Sequence, residues 1–190
     1  MFSGETLMFR GMYAAGLALG PAVLCIAGSC GAVSAWGSPA PSNPSPGCNV
    51  PEYRQLDFWL GDWDTFDPGD STTSVARAHV DLIAAGCAVH ELYEQTDGLI
   101  GDSILSFDPG RKLWQQTWVT NYGSLMVIAG RFKDGILTLE GTVHSRSGTS
   151  SLQRITWKAA GGGVRESSVM SKDGGRTWEP AFDVLFLKHH

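Results

Sequence analysis

From Pro51 onward the chain alternates apolar and polar positions in short runs, the period-two pattern of half-buried strands. In "LWQQTWVTNY" the residues Trp114, Gln116, Trp118 and Thr120 share one face, and in "CAVHELYEQ" Cys87, Val89, Glu91, Tyr93 and Gln95 do. Turn signals separate the runs: Asp108-Pro109-Gly110, Asp134-Gly135, Ser147-Gly148, Gly161-Gly162-Gly163 and Asp173-Gly174-Gly175. The spacing predicts strands near 62–67, 73–81, 87–96, 101–107, 112–121, 124–133, 136–145, 151–159, 163–171 and 178–187. Only "PEYRQLDFWL" reads as a short helix, starting at Pro51 and Glu52 with Tyr53, Leu56 and Trp59 or Leu60 on one side.

About ten meandering strands joined by tight turns, in roughly 140 residues, predict an all-β fold. A sandwich would need longer crossovers, and closure removes unpaired edges. The expected architecture is therefore an up-and-down antiparallel barrel of about ten strands, preceded by a short helix that plugs or covers one end.

The segment before this domain has a different character. Met12 to Gly28 carries no charge, Arg10 stands just before it, and Gly20-Pro21 interrupts it, which suits an export signal better than a membrane span. Residues 1–35 are expected to be a signal peptide cleaved after Val33-Ser34-Ala35, 36–50 a Pro/Ser-rich linker, and 51–190 the barrel domain. A competing site is "IAGSC", which resembles a lipobox and would make Cys30 an acylated first residue. The protein would then be membrane-anchored instead of free in the periplasm or medium. Cys48 and Cys87 remain as a pair in the mature chain, and in an oxidising compartment the expectation is a disulfide between them.

Charge excludes one class of partner. The chain has 14 Lys plus Arg against 19 Asp plus Glu with no basic run, so nucleic acid is not expected. No G-x-S-x-G, H-E-x-x-H, P-loop or dinucleotide fingerprint is present, and no Cys/His spacing suggests a metal or redox centre. Neither a cofactor nor a metal is expected. "SKDGGRTWEP" holds Ser171, Asp173, Gly175, Thr177 and Trp178 in the S-x-D-x-G-x-T-W pattern of sialidase propeller blades. It occurs once, in a chain too short for a propeller, so it reads as a local hairpin turn.

"LDFWLGDWD", residues 56–64, resembles the opening of a bacterial calycin-like family of unknown function whose members begin F-D-F-W-x-G-x-W. The likeness continues through "GCAVHELYE", "GDSILSFDPGRKLWQQTWVTNYG", "LEGTV", "RITWKA" and "SKDGGRTW", with Leu56 where the family start has phenylalanine. Gly61-x-Trp63 is also similar to the opening of lipocalins and fatty-acid-binding proteins. The resemblance implies a barrel with one end closed by tryptophan, here Trp63 supported by Trp59, and it carries no activity. Haem ligation by His79 or His144 is an alternative suggested by haem-binding barrels of related fold.

The expected function is that of an exported barrel binding a small apolar or amphipathic ligand, with Glu91, Tyr93, Trp114, Gln116, Trp118, Arg154 and Arg165 lining the pocket. An inward Arg154 or Arg165 would meet Glu91, or would hold a ligand carboxylate as in the fatty-acid-binding proteins this resembles. Three alternatives stay open. One is a filled barrel in which Glu91 and an arginine form a buried pair. The second is an isomerase, cyclase or hydrolase using an inward carboxylate of raised pKa. The third is an interaction module with a packed interior and an exposed apolar patch. His90 and Glu91, as strand neighbours, point to opposite faces and make a poor acid-base pair.

Overall fold

The computed structural model describes residues 46–145 and 147–190. The expected signal segment, both processing sites including Cys30, and most of the linker lie outside the described residues. The strands are β1 (Gly61–Phe66), β2 (Ser74–Ile83), β3 (Ala88–Gln95), β4 (Ile100–Asp108), β5 (Leu113–Thr120), β6 (Leu125–Lys133), β7 (Ile136–His144), β8 (Ser150–Ala160), β9 (Gly163–Ser171) and β10 (Glu179–Lys188). Each pairs antiparallel with the next, and β10 returns to β1 with Trp63 opposite Lys188 and Thr65 opposite Phe186. The sheet is a closed ten-stranded up-and-down barrel, as the turn spacing predicts, and it has no free edge.

The expected helix is instead two 3-10 pieces, Pro51–Arg54 and Asp57–Trp59. Three residues per turn is the geometry this segment needs, because it aligns Leu56 directly with Trp59. Both side chains are wholly buried, sealing one barrel end. Trp59 packs against Trp157 and Phe186 at ring distances of 6.0 and 5.8 Å, and its carbonyl accepts a bond from Trp63 Nε1 at 2.8 Å. Trp114 Nε1 donates to Gln55 Oε1 at 2.9 Å, and Lys188 Nζ donates to Leu60 O while lying over the Trp63 ring. Leu105, Leu137, Leu139, Ile128 and Ile155 complete the core above the plug.

A disulfide between Cys48 and Cys87, with Cα atoms 5.1 Å apart, ties the segment before the plug to the β2–β3 connection. Arg54 reinforces that tie by donating to Gly86 O. The β2–β3, β4–β5, β6–β7 and β8–β9 turns lie at the plugged end, and the remaining turns ring the opposite mouth.

The Asp-box turn is one of these mouth turns. Asp173 accepts from Thr177 N at 2.9 Å and Thr177 Oγ1 at 2.7 Å, Ser171 Oγ accepts from Gly175 N at 2.8 Å, and Trp178 Nε1 caps Gly175 O at 3.1 Å. These bonds, the Thr177 backbone N–H first, hold the Asp173 carboxyl down to about 2. The motif's polar atoms are spent on the turn itself.

Candidate functional site

Strand alternation assigns the lumen. Cross-strand partners share a face, so Glu91 on β3 opposite Ser103 on β4, Trp118 on β5 opposite Met126 on β6, and Glu166 on β9 opposite Trp157 on β8 all project inward. Glu91, Tyr93, Trp114, Gln116 and Trp118 are therefore where their face of the sequence places them. Trp114 belongs to the plugged end, against Gln55 and, at 5.8 Å, Phe107.

Glu91 is 3% exposed and accepts one bond, from Ser103 Oγ at 3.3 Å. Burial pushes its carboxyl up to about 8, against the partial relief of the Ser103 bond. Glu166 is raised well above the usual carboxylate range, first by burial and then by the charge of Glu91. The Trp157 indole N–H leans toward the Glu166 carboxyl and favours its charged form, without closing a hydrogen bond of ordinary geometry.

By area Glu166 is only partly buried, and desolvation is nonetheless the first cause of its raised pKa.

Above the carboxyls, Tyr93 Oη lies 3.4 Å from Thr65 Oγ1, and burial raises the phenol to about 12. The Trp118 ring packs edge-on against Tyr93 at 6.2 Å. It lies over Gly101, where an added Cβ would fall 2.0 Å from the ring. Gln116 is 2% exposed, and among the described residues its Oε1 has no hydrogen-bond partner; neither do Trp59 Nε1 and Trp157 Nε1. Unpaired groups at that depth are uncommon and call for an occupant or for water.

Arg154 and Arg165 correct the expectation. Both are on the outer face, Arg154 bonded to Glu140 at 2.8 Å with Trp178 beneath it, and Arg165 forked onto Asp183. The cause is strand phase: Ile155 and Trp157 take the inner face of β8, so Arg154, the neighbour of Ile155, must face water. On β9, Val164 fixes the phase, and the inward residue is Glu166, which the sequence reading passed over. Its signal was present, since Val164 and Glu166 alternate with Arg165.

The histidines sit outside the lumen. His90 lies between Asp81 at 3.0 Å and Asp102 at 2.6 Å; burial works against its charge, but the bonds to Asp102 and Asp81 outweigh it and raise its pKa. His79 pairs with Asp62 and His144 with Ser150 Oγ, both on the outer face. Among the described residues no group of three or more His, Cys, Asp or Glu side chains is arranged for a metal ion, and no helix is long and apolar enough to cross a membrane.

Two depressions of about 180 and 130 Å³ lie apart from Glu91 and Glu166. The first, on the outer wall, includes Asp62, Arg77 and His79; the second, beside the plug, includes Gln55, Trp114 and Phe132. On the outer face of β4 to β6, Ile104, Val119, Leu125 and Val127 are exposed, the feature a surface-interaction module would present.

No family model matches the chain, and no curated protein matches it. The closed antiparallel barrel is compatible with the calycin architecture that residues 56–64 resemble, and the likeness rests on fold.

Proposed function

We propose that the chain is an exported barrel that binds a small amphipathic molecule in its lumen, admitted at the mouth opposite the Leu56–Trp59 plug. The observation that carries this reading is uneven burial of the inner wall: Trp59, Trp157 and Leu105, and nearer the mouth Thr65 and Ser168, are buried, whereas Tyr93, Trp118, Gln153 and Glu166 keep partial exposure. In a closed barrel an inward side chain meets solvent only through a mouth or cavity, so partial exposure there marks lumen that side chains do not fill. Aromatic walls with a few convergent polar groups are the usual make-up of a small-molecule site, and barrels of eight strands or somewhat more hold one such ligand. Support for export comes from the uncharged stretch 12–28 and from a disulfide of the kind that persists outside the cytosol. The arginine fork expected for a ligand carboxylate is engaged on the outer face, so the ligand is neutral or cationic.

Tryptophan-fluorescence titration with small aromatic and aliphatic alcohols, amines and acids tests the reading. A saturable response abolished by Trp118→Ala and kept by the outward Val119→Ala is the expected result. Absence of any saturable response overturns it.

Acid–base catalysis is a second reading, favoured by one observation: Glu91 holds its proton to about 8, in the range where a general acid or base works at neutral pH. Conversion of the bound molecule to a product would select it.

A further inference from the structure

The lumen holds a surplus of acceptors. Glu91 has one donor, Ser103 Oγ, for its two oxygens. Gln116 Oε1 has none, and Glu166 has only the leaning indole of Trp157. Among the described residues neither carboxyl forms an ion pair, and the arginines of β8 and β9 and the histidine of β3 are committed elsewhere. Arg165 is on Asp183, Arg154 on Glu140, and His90 is behind the wall between Asp81 and Asp102. β3 and β9 are separated by β2, β1 and β10, so the two carboxyls enter from well-separated walls of the same lumen. Tyr93, Trp118 and Trp157 supply aromatic faces around them.

Inward acceptors short of donors, beside aromatic faces and, among the described residues, without an ion-paired cation, are chemically incomplete in one direction. A bound anion would add negative charge beside two carboxyls that already resist ionising together. A neutral hydroxyl would satisfy one acceptor. A protonated amine brings two or three N–H donors, a charge for the carboxyls and a partner for the ring faces. We infer that the lumen takes the ammonium head of a small primary or secondary amine, held between Glu91 and Glu166 with Gln116 Oε1 as a further acceptor and its apolar body against Tyr93 and Trp118. This rests on the lumen-binding reading above and names the ligand class for it.

The test compares three probes of one shape, 2-phenylethylamine, 2-phenylethanol and 3-phenylpropionate, by calorimetric and fluorescence titration of the full mature chain and of Glu91→Gln/Glu166→Gln. The double variant replaces groups already held largely protonated by neutral isosteres, so it should fold, and its binding of the alcohol reports an intact lumen. The expected result is an amine bound at least about tenfold more tightly than the alcohol, with that margin lost in the variant and the alcohol unaffected. Alcohol or carboxylate binding as tight as the amine overturns the ammonium head and leaves lumen binding standing. Failure of all three probes overturns both.

Discussion

Glu91 and Glu166 project into one barrel lumen from separate walls, neither ion-paired among the described residues, and the charge of one raises the pKa of the other. A charged pair in that setting would be strongly unfavourable, so the fold carries protons there that the unfolded chain does not.

Stability should therefore decline as pH rises. Glu91 titrates near 4.5 when unperturbed and at about 8 in the fold. Between those values the folded state binds more protons than the unfolded one, so the contribution is fully present below the unfolded pKa and is lost as pH rises through the folded one. Urea melts from pH 5 to 9 should show a falling free energy, with a slope approaching about 1 kcal/mol per pH unit. Glu91→Gln should flatten that slope; an unchanged slope would mean that Glu91 ionises normally.

Reducing the Cys48–Cys87 bond releases a link across a separation of 39 residues. The expected loss is about 4 kcal/mol in the chain-entropy model, read as a lower urea midpoint for Cys48→Ser/Cys87→Ser. A midpoint within error of the disulfide form would show that the link does not constrain the unfolded chain.

Gly101→Ala should displace Trp118. The new methyl falls on the ring, which must rotate away from Tyr93, at a cost of about 1–3 kcal/mol and with a shift in tryptophan emission. Unchanged emission and stability would place the ring elsewhere.

Asp173→Ala should loosen only its own turn. Amide exchange at Arg176 and Thr177, whose N–H groups bond Asp173 Oδ1, should accelerate while strand amides and ligand binding stay unchanged. Loss of binding would contradict the local reading of the Asp box.

The fold was legible because turns and alternation are local. Pro109-Gly110 and Asp173-Gly174-Gly175 each fall between strands, and Trp114, Gln116 and Trp118 share the inner face as their spacing requires. What failed was phase on β8 and β9. A one-residue shift exchanges faces, and Ile155 and Trp157 claim the inner face of β8, which leaves Arg154 outside. The plug is legible in part: the spacing puts Leu56 and Trp59 on one side, but whether three or four residues make a turn is decided by the barrel end they must seal. The unpaired Gln116 Oε1 was beyond reach, since pairing across a lumen depends on strands distant in sequence.

Native mass spectrometry of the protein recovered from its own host compartment tests the lumen most directly. One small molecule per chain, released on denaturation and absent from Trp118→Ala, is the predicted result. A chain that is empty on isolation and stays empty after incubation with small amines and alcohols would contradict it, and the barrel would then be a packed scaffold.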